Sequence, residues 1–149
     1  MDVKTRNALI VGGGRVGRRT AVNLTENGYS ATIIERDEEK AEAIPNHFVG
    51  RVIVGDGRDF ETIEEANPTT ADVIAGLTND TETNLAVCEL AREIVPEART
   101  LARIGADGEE HYAYLDHVDN VVYPAAAGAV VAAEQMTDDG NTVSPPEIS

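Results

Sequence analysis

Cysteine, lysine and long apolar runs are all scarce in this sequence, and each shortage excludes something. Cys88 is the single cysteine, so neither an internal disulfide nor a cysteine-rich zinc site can form within the chain. A reducing cytoplasm is the compartment that fits. No stretch of about 18 uncharged apolar residues occurs, which excludes a membrane-spanning helix and predicts no direct membrane insertion. The N-terminal segment carries Asp2, Lys4 and Arg6 and reaches glycine by Gly12, so no secretory leader is expected there. Lysine is confined to Lys4 and Lys40; the remainder of the 12 basic residues are arginines, and they face 27 acidic ones for a net charge of -15. Such a surface repels the phosphates of nucleic acid, so no nucleic-acid partner is expected. At ordinary salt it also repels itself, and that repulsion is screened in molar salt, where the Debye length falls to about 3 Å. The composition resembles that of proteins from salt-loving archaea.

What is present is alternation. With 149 residues the chain has room for one core. Ala8-Leu9-Ile10-Val11 reads as a strand ending in glycines, and Val16 to Glu26 has helical apolar spacing. Ala31 to Ile34 is a β-branched strand, Asp37 to Ile44 a helix stopped by Pro45, and Val52 to Val54 a third strand. Phe60 to Ala66 is a short helix, Asp72 to Ala75 a fourth strand, and about Asp80 to Ile94 a long helix. Asn79 with Glu82 three residues later has the form of a capping box at its start. Arg99 to Ile104 is a fifth strand, Asp107 to Asp116 a helix, and Asn120 to Tyr123 a sixth strand. A helix from Ala125 to Met136 closes the folded part. Six short strands alternating with helices predict a parallel sheet covered on both faces: a doubly wound, Rossmann-like α/β domain of strand order 3-2-1-4-5-6 over residues 1–136. Residues 137–149 lack an apolar period and are expected to be a disordered tail or the start of a linker. The helix Ala125 to Ala133 is uncharged on every face. One face is expected to cover the sheet and the rest to pack against a second copy in a symmetric dimer.

The chemistry-bearing motif is Gly12-Gly13-Gly14-Arg15-Val16-Gly17, a Gly-x-Gly-x-x-Gly between a strand and a helix. Gly12 permits the tight turn, Gly14 lets backbone approach a pyrophosphate, and Gly17 lets the helix sit close to the sheet. The anion meets unpaired amides at the helix start. Glu35, 18 residues beyond Gly17, ends the second strand, where a carboxylate accepts both ribose hydroxyls of an adenosine. Arg36 either folds over adenine or meets a 2′-phosphate. Asp56 and Gly57 follow the third strand, as an adenine contact or as a plain turn. Thr78, Asn79 and Asp80 border the crevice or serve as helix caps. Arg103 puts a charge inside the fifth strand and needs a partner, either an anion in the cleft or a carboxylate such as Asp80.

Taken in order, Gly-x-Gly-Arg-Val-Gly, Glu35-Arg36-Asp37, Val54-Gly55-Asp56-Gly57, Leu77-Thr78-Asn79-Asp80-x-Glu82-Thr83-Asn84-Leu85 and Ala102-Arg103-Ile104 resemble the TrkA-N domain. That domain, also called KTN or RCK, occurs in potassium-uptake regulators and potassium channels, and the likeness runs over about residues 7–136. It implies a cytoplasmic regulatory subunit, peripheral to the membrane through its partner, that binds NAD(H), ATP or ADP. Such a subunit controls a membrane potassium transporter or channel subunit through rearrangement of homodimers or higher rings. On that analogy Gly12 to Gly17 take the phosphates, Glu35 and Arg36 the ribose, and Asp56 and Gly57 the adenine; Thr78, Asn79 and Arg103 line the distal half. Gly105-Ala106-Asp107-Gly108 departs from the family's wording and is given no ligand role.

The rival class is a small NAD-dependent oxidoreductase, or an NAD(H)-binding redox sensor. Neither lysine follows a tyrosine by four residues, so that proton-donating pair is missing. His111 and His117, six apart, fall on opposite faces of a helix and make no metal pair. Cys88 between Val87 and Leu90 reads as core. No basic DNA-binding helix exists for a repressor. The expectation is a regulatory protein without catalytic or metal-binding residues.

The charge sets a first test. Thermal unfolding followed at about 0.1 and about 2 M KCl is expected to show a higher midpoint in the concentrated salt, because screening removes self-repulsion. A midpoint that stays flat or falls contradicts this.

Overall fold

The computed structural model describes residues 5–45, 48, 50–105 and 116–137. Six strands form one sheet: β1 (Asn7–Val11), β2 (Ser30–Glu35), β3 (Arg51–Val54), β4 (Val73–Gly76), β5 (Arg99–Arg103) and β6 (Asn120–Val122). Their order is β3-β2-β1-β4-β5-β6, and every pair is parallel. Chain polarity and register follow from the apolar runs, which pair end to end. Val11 lies opposite Ile34 on one side and Gly76 on the other, Glu35 opposite Val54, and Gly76 opposite Ala102. The carboxyl ends of β1 to β5 therefore reach one rim together. Whatever follows each strand in sequence is gathered there, along the line where the order reverses between β1 and β4.

The helices are α1 (Arg15–Glu26), α2 (Glu38–Glu42), α3 (Phe60–Glu65), α4 (Thr81–Ile94) and α5 (Pro124–Thr137). Alternation along the strands sends side chains to opposite faces. Ile10, Ala31 and Ile33 meet Ala21 of α1 on one face, with Val16 and Leu24 beside them. Leu9, Val11, Ile34, Ile53 and Ile74 meet Ile63 of α3 and Val87 and Ala91 of α4 on the other. Cys88 is fully buried in the core, and burial pushes its thiol up to about 11. The β6 edge is fastened by Asp119, which accepts from the Thr100 amide at 2.9 Å and pairs with Arg92 at 3.0 Å.

Several boundaries differ from the sequence expectation. The second helix is shorter than Asp37–Ile44: Asp37 is its cap, accepting from the Glu39 amide at 2.8 Å, and it ends at Glu42. Ile44 leaves the helix to enter the core beside Ala31 and Ile33. The long helix begins at Thr81, with Asp80 rather than Asn79 as its N-cap, so the Asn79–Glu82 capping box does not form. The Asp80 carboxylate accepts instead from the Thr83 hydroxyl at 2.5 Å. Most of the helix expected over 107–116 lies outside the described residues, as does the tail beyond Thr137.

Two corrections concern coverage. On the α1 and α2 face no described helix covers β4 to β6; Ala8, Ile10, Leu24, Ala75, Leu77 and Leu101 line an open groove of about 570 Å³ there. Nor does α5 lay a face on the sheet, because every residue from Ala125 to Thr137 is exposed. Six of its 14 residues are alanine, with Val130, Val131 and Met136 its only exposed large apolar residues.

Candidate functional site

The glycine turn builds the floor of the site. Gly12 has φ +117, and a Cβ there would sit 2.8 Å from the Leu77 carbonyl carbon and the Thr78 nitrogen. Only glycine permits both that backbone conformation and that approach to the end of β4. A Cβ on Gly17 would overlap the Gly12 carbonyl oxygen, so the first turn of α1 reaches the turn only through this glycine. Gly14 is different. It has an ordinary extended conformation, and a Cβ there would meet nothing within 4 Å. Its missing side chain leaves open space above the helix start. No side chain caps α1, so the amides of Arg15, Val16 and Gly17 are first-turn donors without an intrahelical acceptor, aimed where the helix dipole favours an anion.

Glu35 forms the wall next to that donor set. It is 7% exposed. Its Oε1 accepts from the Gly13 amide at 2.6 Å and its Oε2 from the Asp37 amide at 2.7 Å. Each carboxylate oxygen keeps a second lone pair, so the group is fixed in place and can still accept from a vicinal diol. The same contacts give Gly13 a role that the spacing alone did not: its amide is committed to Glu35, and Gly13 itself does not line the cleft. Gly17 also stands behind the cleft wall rather than in it.

Beyond β3, Asp56 accepts from the Arg58 amide at 2.9 Å and pairs with its guanidinium at 2.9 Å. These hydrogen bonds, with the nearby charges of Arg58 and Arg36, hold the Asp56 carboxyl down to about 2. Gly57 is glycine for packing: a Cβ there would overlap the Val11 side chain. Beyond β4, Thr78 is held by Asn84 of α4, and Asn79 and Asp80 face the cleft beside it. Arg103 at the end of β5 also faces the cleft, and no ion pair with Asp80 forms.

The result is a cleft of about 510 Å³, a size suited to a small ligand. It brings together Gly12, Gly14, Arg15, Val16, Glu35, Arg36, Asp56, Gly57, Thr78, Asn79 and Arg103. Three further polar side chains of the lining, Arg18, Lys40 and Thr83, were not picked out from the sequence. Arg18 was legible in principle, one turn beyond Arg15 on the same helical face. Lys40 stands on a helix that charge pattern alone would leave solvated. Arg15, Arg18, Arg36, Lys40 and Arg103 thus place five of the chain's 12 basic residues on one cleft, against Glu35, Asp56 and Asp80. Among the described residues, none of these five cations makes a side-chain hydrogen bond or ion pair, whereas all three carboxylates do.

An anion-attracting cleft at the switch point of a doubly wound parallel sheet, floored by a glycine turn, defines a Rossmann-like α/β domain. Comparison with known proteins narrows the class. The TrkA-N domain model matches residues 8–124, and the chain belongs to the TrkA-N domain family. The Trk system potassium uptake protein TrkA homolog of Pyrococcus abyssi is 36% identical over 102 residues, covering 68% of this chain and 45% of that protein. The chain thus spans about half the length of that relative. The TrkA-N domain of the inner membrane protein ybaL from Escherichia coli shares the fold, with a TM-score of 0.76 at 21% identity, covering 89% of this chain and 98% of that one. The GsuK channel bound to NAD superposes with a TM-score of 0.76 at 27% identity, covering 91% of this chain and 24% of that one.

The glycines separate by stability. Gly17→Ala is expected to lower unfolding free energy by about 3 kcal/mol, because a methyl group must displace backbone. Gly14→Ala, at a helix N-cap with open space around it, is expected to cost less than about 1 kcal/mol. Urea unfolding of the two variants measures this, and equal losses would mean that α1 is not seated on the Gly12 carbonyl.

Proposed function

We propose that this chain is the nucleotide-binding regulatory module of a potassium-transport system. It holds NAD(H) or an adenine nucleotide, ATP or ADP, and acts in the cytoplasm on a membrane potassium transporter or channel subunit. One observation carries the reading: free helix amides and open space at Gly14 lie beside a buried carboxylate whose remaining lone pairs face the same cleft. That pairing fits a phosphate joined to a ribose. In the proposed pose the α1 amides with Gly12, Gly14, Arg15 and Val16 take the pyrophosphate. Glu35 takes the ribose hydroxyls, with Arg36, Asp56 and Gly57 around the adenine. Thr78, Asn79 and Arg103 take the distal half. The pairing of Asp56 with Arg58 leaves its carboxylate ionised and still able to accept from the adenine amine. The kinship with a Trk potassium uptake protein and the likeness to a channel bound to NAD support regulation over hydride-transfer catalysis. His117 pairs with Glu89 at 3.5 Å and does not line the cleft.

The module acts as a homodimer or a higher ring. The support is α5, exposed along its length, together with an open apolar groove on the sheet face that α1 and α2 leave bare over β4 and β5. A second copy supplies an apolar helix for each groove, and reciprocal docking closes with two-fold symmetry.

Light scattering in molar KCl at tens of micromolar is expected to give a dimer mass or a multiple of it, and Val131→Glu to shift the mass toward monomer. A monomeric parent chain, or an unchanged mass in the variant, overturns the α5 interface.

Glu35 sets cofactor discrimination. Charge-assisted hydrogen bonds to ribose hydroxyls are worth about 1.5–3 kcal/mol each. A 2′-phosphate replaces one donor with like charge, a repulsion of about 4 kcal/mol at 4 Å and an effective dielectric of 20 before screening. Arg36 offsets part of it. Calorimetry at fixed salt is expected to find NADH bound about 10–100-fold more tightly than NADPH. Glu35→Gln is expected to weaken NADH and narrow that gap. Equal affinities in the parent chain would remove Glu35 from the ribose.

A further inference from the structure

The first turn of α4 carries a buried amide side chain that faces the cleft loops without lining the cleft. Asn84 is fully buried. It reaches its place because β4 ends in Gly76, where a Cβ would come within 2.6 Å of the Asn84 Cα; the helix packs directly on bare backbone. Four hydrogen bonds then use the amide on both sides. Oδ1 accepts from the Thr78 amide at 2.9 Å and from the Thr78 hydroxyl at 2.7 Å. Nδ2 donates to the Thr78 carbonyl at 2.9 Å and to the Arg103 carbonyl at 2.9 Å. These four bonds go to two residues that leave neighbouring strands and face the cleft. One helix position after the cap, the Thr81 hydroxyl accepts from the Gly105 amide at 2.9 Å, a second tie to the same β5 exit. Glu35, by contrast, fastens only the β1 and β2 exits.

We propose that Asn84 is the positioning residue for the distal half of the cleft: it fixes the spacing of Thr78 and Arg103 and so governs binding of a dinucleotide, but not of a mononucleotide. This rests on the nucleotide reading above, in which the adenosine half is held by Glu35 on the other side of the switch point. An aspartate at this position keeps the two accepting contacts with Thr78. It loses both donations, so its oxygen faces two carbonyls, and a buried polar group left without its partner costs about tenfold or more in an equilibrium that depends on it. The exit of β5 then loses its Asn84 tie and keeps only the Thr81–Gly105 one among its links to α4, whereas the β1–β2 exits keep both of theirs.

The test is calorimetry with two probes, AMP and NADH, on the parent chain, Asn84→Asp and Asn84→Ser, with circular dichroism to establish folding. NADH affinity is expected to fall at least about tenfold in both variants while AMP affinity stays within about twofold, so that the ratio moves. The neutral serine separates loss of the clamp from a new charge and is the variant that decides if Asn84→Asp does not fold. Equal losses for both probes, or an unchanged NADH affinity in a folded variant, overturn the positioning role. A parent chain that binds neither probe removes the nucleotide reading and this inference with it. A parent that binds both with unmoved ratios in the variants removes the inference alone.

Discussion

The rest of the architecture depends on how closely α1 approaches the turn that precedes it. Gly17 has no side chain, and the space a Cβ would need is occupied by the Gly12 carbonyl. That approach lays α1 along β1 and β2, with Ala21 buried against the strands. It also aims the α1 N-terminus over the rim rather than away from it. Gly12 in turn presses on the backbone of Leu77 and Thr78, so the same turn is wedged between the two halves of the sheet at the point where the strand order reverses. Groups on both sides of the switch point touch that wedge. Glu35 reaches the Gly13 amide because the turn is where it is, and Thr78 is fixed from the other side by Asn84.

Charge distribution adds a second constraint. A chain with a net charge of -15 has a negative far field, yet the cleft holds five cations and three carboxylates. Formal charge understates the contrast. The carboxylates of Glu35, Asp56 and Asp80 are each bound to protein donors, and two of those donors belong to Arg58 and Thr83 rather than to cleft cations. The cations keep their donors free, as far as the described residues show. At physiological salt the Debye length is about 8 Å, so an anion at the cleft is governed by these near charges and little by the distant negative surface.

Much of the fold was legible from the sequence because the strands are short, apolar and separated by clear stops. Strand order followed from the glycine signature and the right-handed crossover. Glu35 was legible because its place depends only on spacing from Gly17 along one βαβ unit. Helix ends were less so: Ile44 fits a helical period but serves the core, and Asn79 and Asp80 are equal candidates as caps until backbone geometry chooses Asp80. Gly57 lines the cleft and also makes room for Val11, a contact across two strands that spacing does not encode. Asn84 stood inside a quoted motif with no role assigned. Its partners lie 6 and 19 residues away, and only the packing of α4 on Gly76 brings them together. The position of α5 was misread for a different reason. A helix of small apolar residues has the same sequence whether it covers its own sheet or another surface.

The two halves of the rim are supported by different means, and this bears on how binding in the cleft relates to the rest of the molecule. On the β1–β2 side, one carboxylate joins two backbone amides close in sequence, Gly13 and Asp37. On the β4–β5 side, one amide side chain joins two loops through a helix. That helix, α4, also carries Arg92, which binds Asp119 at the β6 edge. From β6 the chain passes directly into α5 at Pro124. A displacement of Thr78 or Arg103 therefore has a contiguous mechanical route through α4 and β6 to the exposed helix, whereas the two amides bound to Glu35 lie at the exits of β1 and β2. Contiguity alone does not establish coupling; coupling needs an element with two arrangements. The α5 helix is exposed from Ala125 to Thr137, so core packing does little to fix its position, and it stands at the end of that route.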